Sequence, residues 1–251
     1  MGRNVSEAVK KKIALLACQA LQPELEALLP ALPHIVHCEF FDVALHEQPT
    51  KLRQTLQDAV DKAEAIESVE AIVFAYGLCS RSIEGIVAKR CEMIFLRTHD
   101  CRAVILGSRE RYNKYNAENP PSYWYSPGWL LDRPRAPSKE KLERLMQEYT
   151  EKYGEDNAEY LLEMENEWIK KYNTAVYVDT GVGDVEELKS FTKSCAAGLG
   201  WGYDELQGTQ DYLRSLVECE WSEDDFVIVP PGSSVTMTDD DRVMAVGRKK
   251  E

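Results

Sequence analysis

Cys18, Cys79 and Cys101 each stand at or just past the end of a short apolar run. Cys18 ends IALLAC, Cys79 follows AIVFAYGL, and Cys101 follows MIFLRTHD, with His99 two residues before it. Runs of this kind read as strands buried on both faces of a parallel sheet. Open α/β sheets bind ligands in the crevice beyond the carboxyl ends of their strands. Three sulfurs and an imidazole arriving there are donor types for a zinc ion or an iron–sulfur cluster. If residues 99–101 are extended, His99 and Cys101 share one face, because strand side chains alternate. Three protein ligands and an open position would make a catalytic metal site, able to take water, a thiol or a substrate. Three cysteines alone would hold a four-iron cluster with one iron free. Spacing does not separate zinc from iron–sulfur, and the chain has no compact CxxC pair.

Cys79 also admits a metal-free reading. Gly77-Leu78-Cys79-Ser80-Arg81-Ser82 reads as a strand-to-helix turn. A cysteine near a helix N-terminus beside Arg81 would have a stabilised thiolate and act as a nucleophile, with His99 as its base. Arg97, Arg102, Arg109 and Arg111 gather in sequence around the same strand end. Arg102 and Arg109 are the candidate contacts for a carboxylate or phosphate of a small anionic substrate. Cys38, Cys91, Cys195 and Cys219 read as structural. His34, His37 and His46 have no partner in the pattern and read as surface or capped residues.

The elements that must position these groups follow a βα rhythm. Residues 1–12 form a polar tail, and 13–248 read as one α/β domain. Strands are expected at 13–18, 34–41, 71–76 and 93–98. A helix at 51–67 presents Leu52, Leu56, Ala59, Val60, Ala63 and Ile66 on one face, and a further helix is expected at 82–90. Alternation of this kind marks βαβ units and an open, mostly parallel sheet with flanking helices. A helical insertion follows the fourth strand. That insertion is 116–172, a Pro-, Tyr- and Trp-rich loop and then a helical hairpin around Gly154. A strand returns at 174–179, and Thr180–Asp184 forms a turn before a helix that ends near Gly198 or Gly200. A helix at 209–217, a late strand at 224–232 and an edge strand in the tail complete the chain.

The chain carries 43 acidic and 30 basic residues, a formal charge of −13. Without a basic stripe, this excludes nucleic acid and anionic membrane surfaces as expected partners. No apolar run reaches the roughly 20 residues needed to span a bilayer. The N-terminus MGRNVSEAVKKK lacks the apolar core of a secretory signal, although MGRNVS fits the loose myristoylation pattern. Seven cysteines within strands and helices point to reduced thiols or metal ligands over disulfides.

The stretches YGLC (76–79), HDC (99–101), LGSRERY (106–112), SPGWL (126–130), YGEDNAEYL (153–161), YVDTG (177–181) and VPPG (229–232) resemble a known family. It is a conserved domain of unknown function, found in methanogenic archaea and anaerobic bacteria. Its genes often accompany those of corrinoid-dependent methyl transfer. After YGLC this chain reads SRSIEG, where the family's turn is richer in glycine. The resemblance implies a cytoplasmic protein of anaerobic one-carbon metabolism, with a corrinoid protein as partner and a corrinoid reached through it. An H-x-C pair with a distant cysteine also looks like the zinc set of methylcobamide:thiol methyltransferases, an analogy of ligands rather than of fold. The expected function is therefore a methyltransferase-like metal protein acting on a thiol or anionic substrate. Cys18, Cys79, His99 and Cys101 are its candidate ligands. A non-catalytic carrier of a cluster or corrinoid is the alternative from a second class.

Overall fold

A computed structural model describes residues 10–79, 81–119 and 121–247. In chain order the elements are β1 (Ile13–Cys18), α1 (Gln22–Leu28), β2 (Ile35–Phe41), α2 (Pro49–Glu64), β3 (Ala71–Ala75), β4 (Glu92–Leu96), α3 (Cys101–Leu106), α4 (Arg109–Glu118), β5 (Ser122–Tyr125), α5 (Lys139–Tyr153), α6 (Glu155–Asn166), β6 (Thr174–Asp179), α7 (Val185–Leu199), β7 (Gly202–Gln207), α8 (Asp211–Val217), β8 (Phe226–Val229), β9 (Ser234–Met237) and β10 (Met244–Gly247). They fall into two compact units. The first joins the N-terminal 101 residues to Asp211–Glu251, and the second is Arg102–Gln210.

The first unit is built on a five-stranded sheet in the order β2-β1-β3-β4-β8. The pairs β1–β2, β1–β3 and β3–β4 are parallel, and β8 closes the edge antiparallel to β4. This is the mostly parallel α/β sheet that the strand–helix alternation predicts. The residues of β1 and β3 are all buried, as strands covered on both faces must be. Helix α2 turns Leu52, Leu56, Ala59, Val60 and Ala63 inward. The helix stops at Glu64, so Ile66 lies past its end and is only partly buried.

The connection between β3 and β4 departs from the expected pattern. No helix forms over 82–90; among the described residues the segment is a series of turns. Arg81 at φ 65° and Gly85 at φ 80° lie in the left-handed region, which a right-handed helix cannot contain. The tail also differs. The strands β9 and β10 pair with each other as a separate antiparallel ribbon instead of extending the main sheet.

The second unit carries its own parallel sheet, β5-β6-β7. Its core gathers Tyr125, Leu130, Ala175, Tyr177, Leu188 and Cys195. Asp184 caps α7 through the Glu187 amide at 3.1 Å, and Gly200 ends that helix at φ 69°. The interval 116–172 lies inside this unit, where α5 ends and α6 begins at Gly154. The strands β5 and β7 are not expected from the sequence. SYWY sits within a loop-like composition, and GYDELQ alternates without an apolar face.

Candidate functional site

In the first unit the strand order reverses at β1, since β2 lies on one side and β3 on the other. Such a switch point leaves a crevice at the carboxyl ends of the two central strands. Cys18 is the last residue of β1, and Cys79 lies four residues past β3. Cys101 lies five residues past β4 and opens α3. All three are buried, at 2%, 6% and 5% exposure. Tyr76, the residue after β3, is fully buried and its hydroxyl has no hydrogen-bond partner.

These four groups sense one another. Burial pushes the Tyr76 hydroxyl well above its ordinary pKa, and Cys18, Cys79 and Cys101 add to the shift. Burial likewise lifts the Cys79 thiol, with further contributions from Cys101, Cys18 and Asp100. The Cys18 thiol is pushed up to about 12 by burial and by Asp42, against an opposing hydrogen bond from the Ala20 amide. The sulfurs of three adjacent strands therefore converge within electrostatic reach, with the orphaned phenol among them. Among the described residues no group of three His, Cys, Asp or Glu is already drawn around one point as a metal site.

The backbone holds the strand ends together. The Leu78 amide donates to the Thr98 carbonyl at 2.8 Å, and the Cys79 amide donates to the His99 carbonyl at 2.9 Å. The approach is close enough that a Cβ on Gly77 would lie 2.8 Å from the Asp100 Cα and amide nitrogen. Hence the glycine of YGLC: no side chain fits there. Cys79 itself sits at φ 45°, a conformation costly for a residue with a Cβ. Arg81 follows at φ 65°. A turn richer in glycine, as the resemblance describes, would meet this backbone requirement without strain.

His99 is placed differently from its sequence expectation. Residues 97–100 are bends and Cys101 begins a helix, so the extended backbone that would align His99 with Cys101 is absent. His99 is exposed while Cys101 is buried, and the link from residue 99 to the site is its carbonyl. Arg81, expected beside Cys79, instead pairs with Glu84. Arg97 donates to the carbonyls of Glu223, Phe226, Arg242 and Met244, tying β8 and β10 to the end of β4. Arg102 and Arg109 belong to the second unit, where the Arg102 guanidinium lies 5.2 Å over the Tyr112 ring and Arg109 opens α4. Arg111 in the same unit donates to the carbonyls of Leu106 and Gln207.

Two site residues lie outside the sequence expectation. One is Tyr76. The other is His46, expected at the surface or in a cap, whose Nε2 lies 3.4 Å from Cys18 Sγ. Its ring stacks on Tyr76, with centroids 6.0 Å apart and planes 19° apart. Burial lowers the His46 pKa, with Asp100 opposing. Strand-end logic applied to β2, the other neighbour of β1, would have found it. His46 lies five residues past Phe41, which pairs with Cys18 in the sheet.

Fold and site together define an α/β protein with a buried three-thiol cluster at the switch point of a parallel sheet. The chain belongs to the family described as Protein of unknown function (DUF1638), whose model matches residues 40–217. The match includes His46, Tyr76, Cys79 and Cys101, and Cys18 precedes it. Neither curated proteins nor solved structures gave a match.

Proposed function

We propose that this is a metal-dependent protein in which Cys18, Cys79 and Cys101 hold zinc or an iron–sulfur cluster for the activation of a thiol or anionic substrate. One observation carries the reading: three buried sulfurs and an unpartnered phenol meet at three neighbouring strand ends. The donor set suits a soft cation. Buried thiols among acidic neighbours are poor nucleophiles by themselves. A bound metal reverses that balance, because it deprotonates its thiol ligands and satisfies their charge. This favours a metal centre over a metal-free cysteine enzyme, whose nucleophile needs a lowered pKa. When bound, the metal would supply Lewis acidity that keeps a substrate thiol as thiolate near neutral pH. Tyr76 would offer its hydroxyl to a bound sulfur or substrate atom.

The setting in corrinoid-dependent methyl transfer, and in the cytoplasm of methanogens and other anaerobes, rests on the family resemblance. Among the described residues no helix is long and apolar enough to cross a membrane. Arg102 and Arg109 are proposed as contacts for an anionic group on the second unit. His99, exposed beside the site loop, is proposed for a substrate-facing role.

Metal and sulfide analysis of anaerobically purified protein tests the reading, with Cys101→Ala alongside. A zinc protein would be colourless with about one zinc per chain. A cluster protein would be brown and release inorganic sulfide. Cys101→Ala should lose most of the metal in either case. Equal, negligible metal in both proteins rules the metal reading out.

A further inference from the structure

We propose that β2 is a dimer edge, which pairs antiparallel with β2 of a second copy of this chain about a two-fold axis at Cys38. Two five-stranded sheets then continue into one. The strand β2 is the outermost of its sheet and pairs with β1 on one side only. Among the described residues no strand lies on its outer side, so its main-chain donors and acceptors form an open template there. The opposite edge is occupied: Arg97 donates to the carbonyls of Phe226 in β8 and Met244 in β10, which holds the ribbon strand beside β8. Monomeric proteins blunt a bare edge with proline or lysine, and IVHCEFF contains neither. One irregularity, an extra residue at Val36, precedes the regular stretch His37–Phe41. From Ile35 to Phe40 the strand is half-buried or exposed, and Val36 leaves a large apolar side chain 38% exposed. Pairing at this edge needs no metal.

The occupant follows from the order of residues along the strand. In a two-fold interface, if one residue faces another, the second faces the first in return. With the axis at Cys38, His37 stands opposite Glu39 of the second copy, Val36 opposite Phe40, and Cys38 opposite itself. Each cross-strand pair is matched in character: imidazole with carboxylate, apolar with apolar. Moving the axis to His37 or to Glu39 sets that residue against its own copy and breaks the match, so the pattern also selects the register. His37 and Glu39 already share a face, with Nε2 3.7 Å from the carboxylate. The two-fold lays two such pairs side by side, and imidazole and carboxylate then alternate both along and across the strands. The His37 Nε2 atom is an independent sign of a missing partner. It is shielded from water and has no hydrogen-bond partner, because Glu39 of its own strand stops short of bonding distance. A second Glu39 arriving across the axis supplies an acceptor.

Analytical ultracentrifugation of the full-length protein over a range of concentrations tests the pairing. Salt near ~0.15 M screens the repulsion between two copies that each carry a charge of −13. Wild-type protein should sediment with twice the mass of one chain. His37→Glu gathers four carboxylates at the axis and should weaken the dimer by about tenfold or more. The exchange of His37→Glu with Glu39→His restores the alternation and should recover most of the lost affinity. Val36→Lys places a charge on the bare edge and should also favour the monomer. A short bismaleimide should join wild-type chains through Cys38 on both sides, as peptide mapping reads, and should fail with Cys38→Ser. Circular dichroism of each variant excludes misfolding as the cause of lost association. A wild type that stays monomeric throughout overturns the proposal. So does a dimer indifferent to both His37→Glu and Val36→Lys, or an exchange variant no better than His37→Glu alone. Crosslinking through Cys219, the other half-exposed cysteine, would place the interface elsewhere and overturn it as well.

Discussion

Gly77 and Arg81 lie four residues apart in the same turn and make opposite demands on a substitution. A Cβ at residue 77 would press on the backbone of Asp100 and His99, which cannot move like the end of a flexible side chain. Gly77→Ala should therefore cost about 1–3 kcal/mol through overpacking. It should also separate the two loops that carry Cys79 and Cys101, so metal content should fall with the melting temperature. Arg81 is an L-residue in the left-handed region, where glycine is at ease. Its ion pair with Glu84 is exposed on the arginine side and adds little. Arg81→Gly should leave stability unchanged or raise it by up to about 1 kcal/mol, with metal content intact. Thermal unfolding of the two variants in parallel checks both. A Gly77→Ala protein as stable and as metal-rich as wild type would show that the close approach does not matter.

At the scale of elements, the strands of the first sheet are legible because short continuous apolar runs between helical segments mark strands buried on both faces. Cys18, Cys79 and Cys101 are legible for the same reason, since each is placed by the end of its run. The β3–β4 connection is not, because helix periodicity over 82–90 says nothing about the left-handed backbone at Arg81 and Gly85. His46 escapes because a single 3-10 turn has no periodic signature, and its neighbour Cys18 is 28 residues away in sequence. What shapes the β3–β4 connection instead of a helix is Glu64, at the end of α2. Its carboxylate accepts the amides of Lys89 at 2.9 Å, Arg90 at 2.5 Å and Cys91 at 2.9 Å, which aligns the entry to β4. Burial alone would raise its pKa, but these bonds and the Arg90 charge outweigh it and hold it below the ordinary carboxylate value. A carboxyl with a depressed folded pKa stabilises above its unfolded pKa, and the contribution disappears as pH falls through the folded value. Glu64→Ala should thus destabilise by about 1–3 kcal/mol at pH 7. The gap from wild type should close below pH ~4. Urea unfolding at the two pH values measures it, and a gap that persists in acid would mean that packing, not the charged bonds, is what Glu64 contributes.

For the whole molecule, the acidic balance and the division into two units bear on how a metal would act. Every ligand of the proposed metal lies in the first unit. A ligand that binds only the folded state stabilises it by mass action, by about 2.7 kcal/mol at a hundred times its dissociation constant. The amides whose opening breaks the site should gain most, because exchange through local opening is suppressed only where the opening releases the metal. The first such amides are those of Leu78 and Cys79, which bridge to Thr98 and His99. Hydrogen exchange with and without zinc should therefore show the largest gain over 76–79 and 98–101. The charge of −13 sets the conditions for the measurement. Self-repulsion at low ionic strength opposes the compact state and attracts cations loosely to the acidic surface. A protection pattern that survives about 0.15 M salt belongs to the thiol site, since screening weakens surface association and leaves buried coordination in place. Protection confined to acidic surface segments and lost in salt would instead mark zinc as a counterion, with the strand ends untouched.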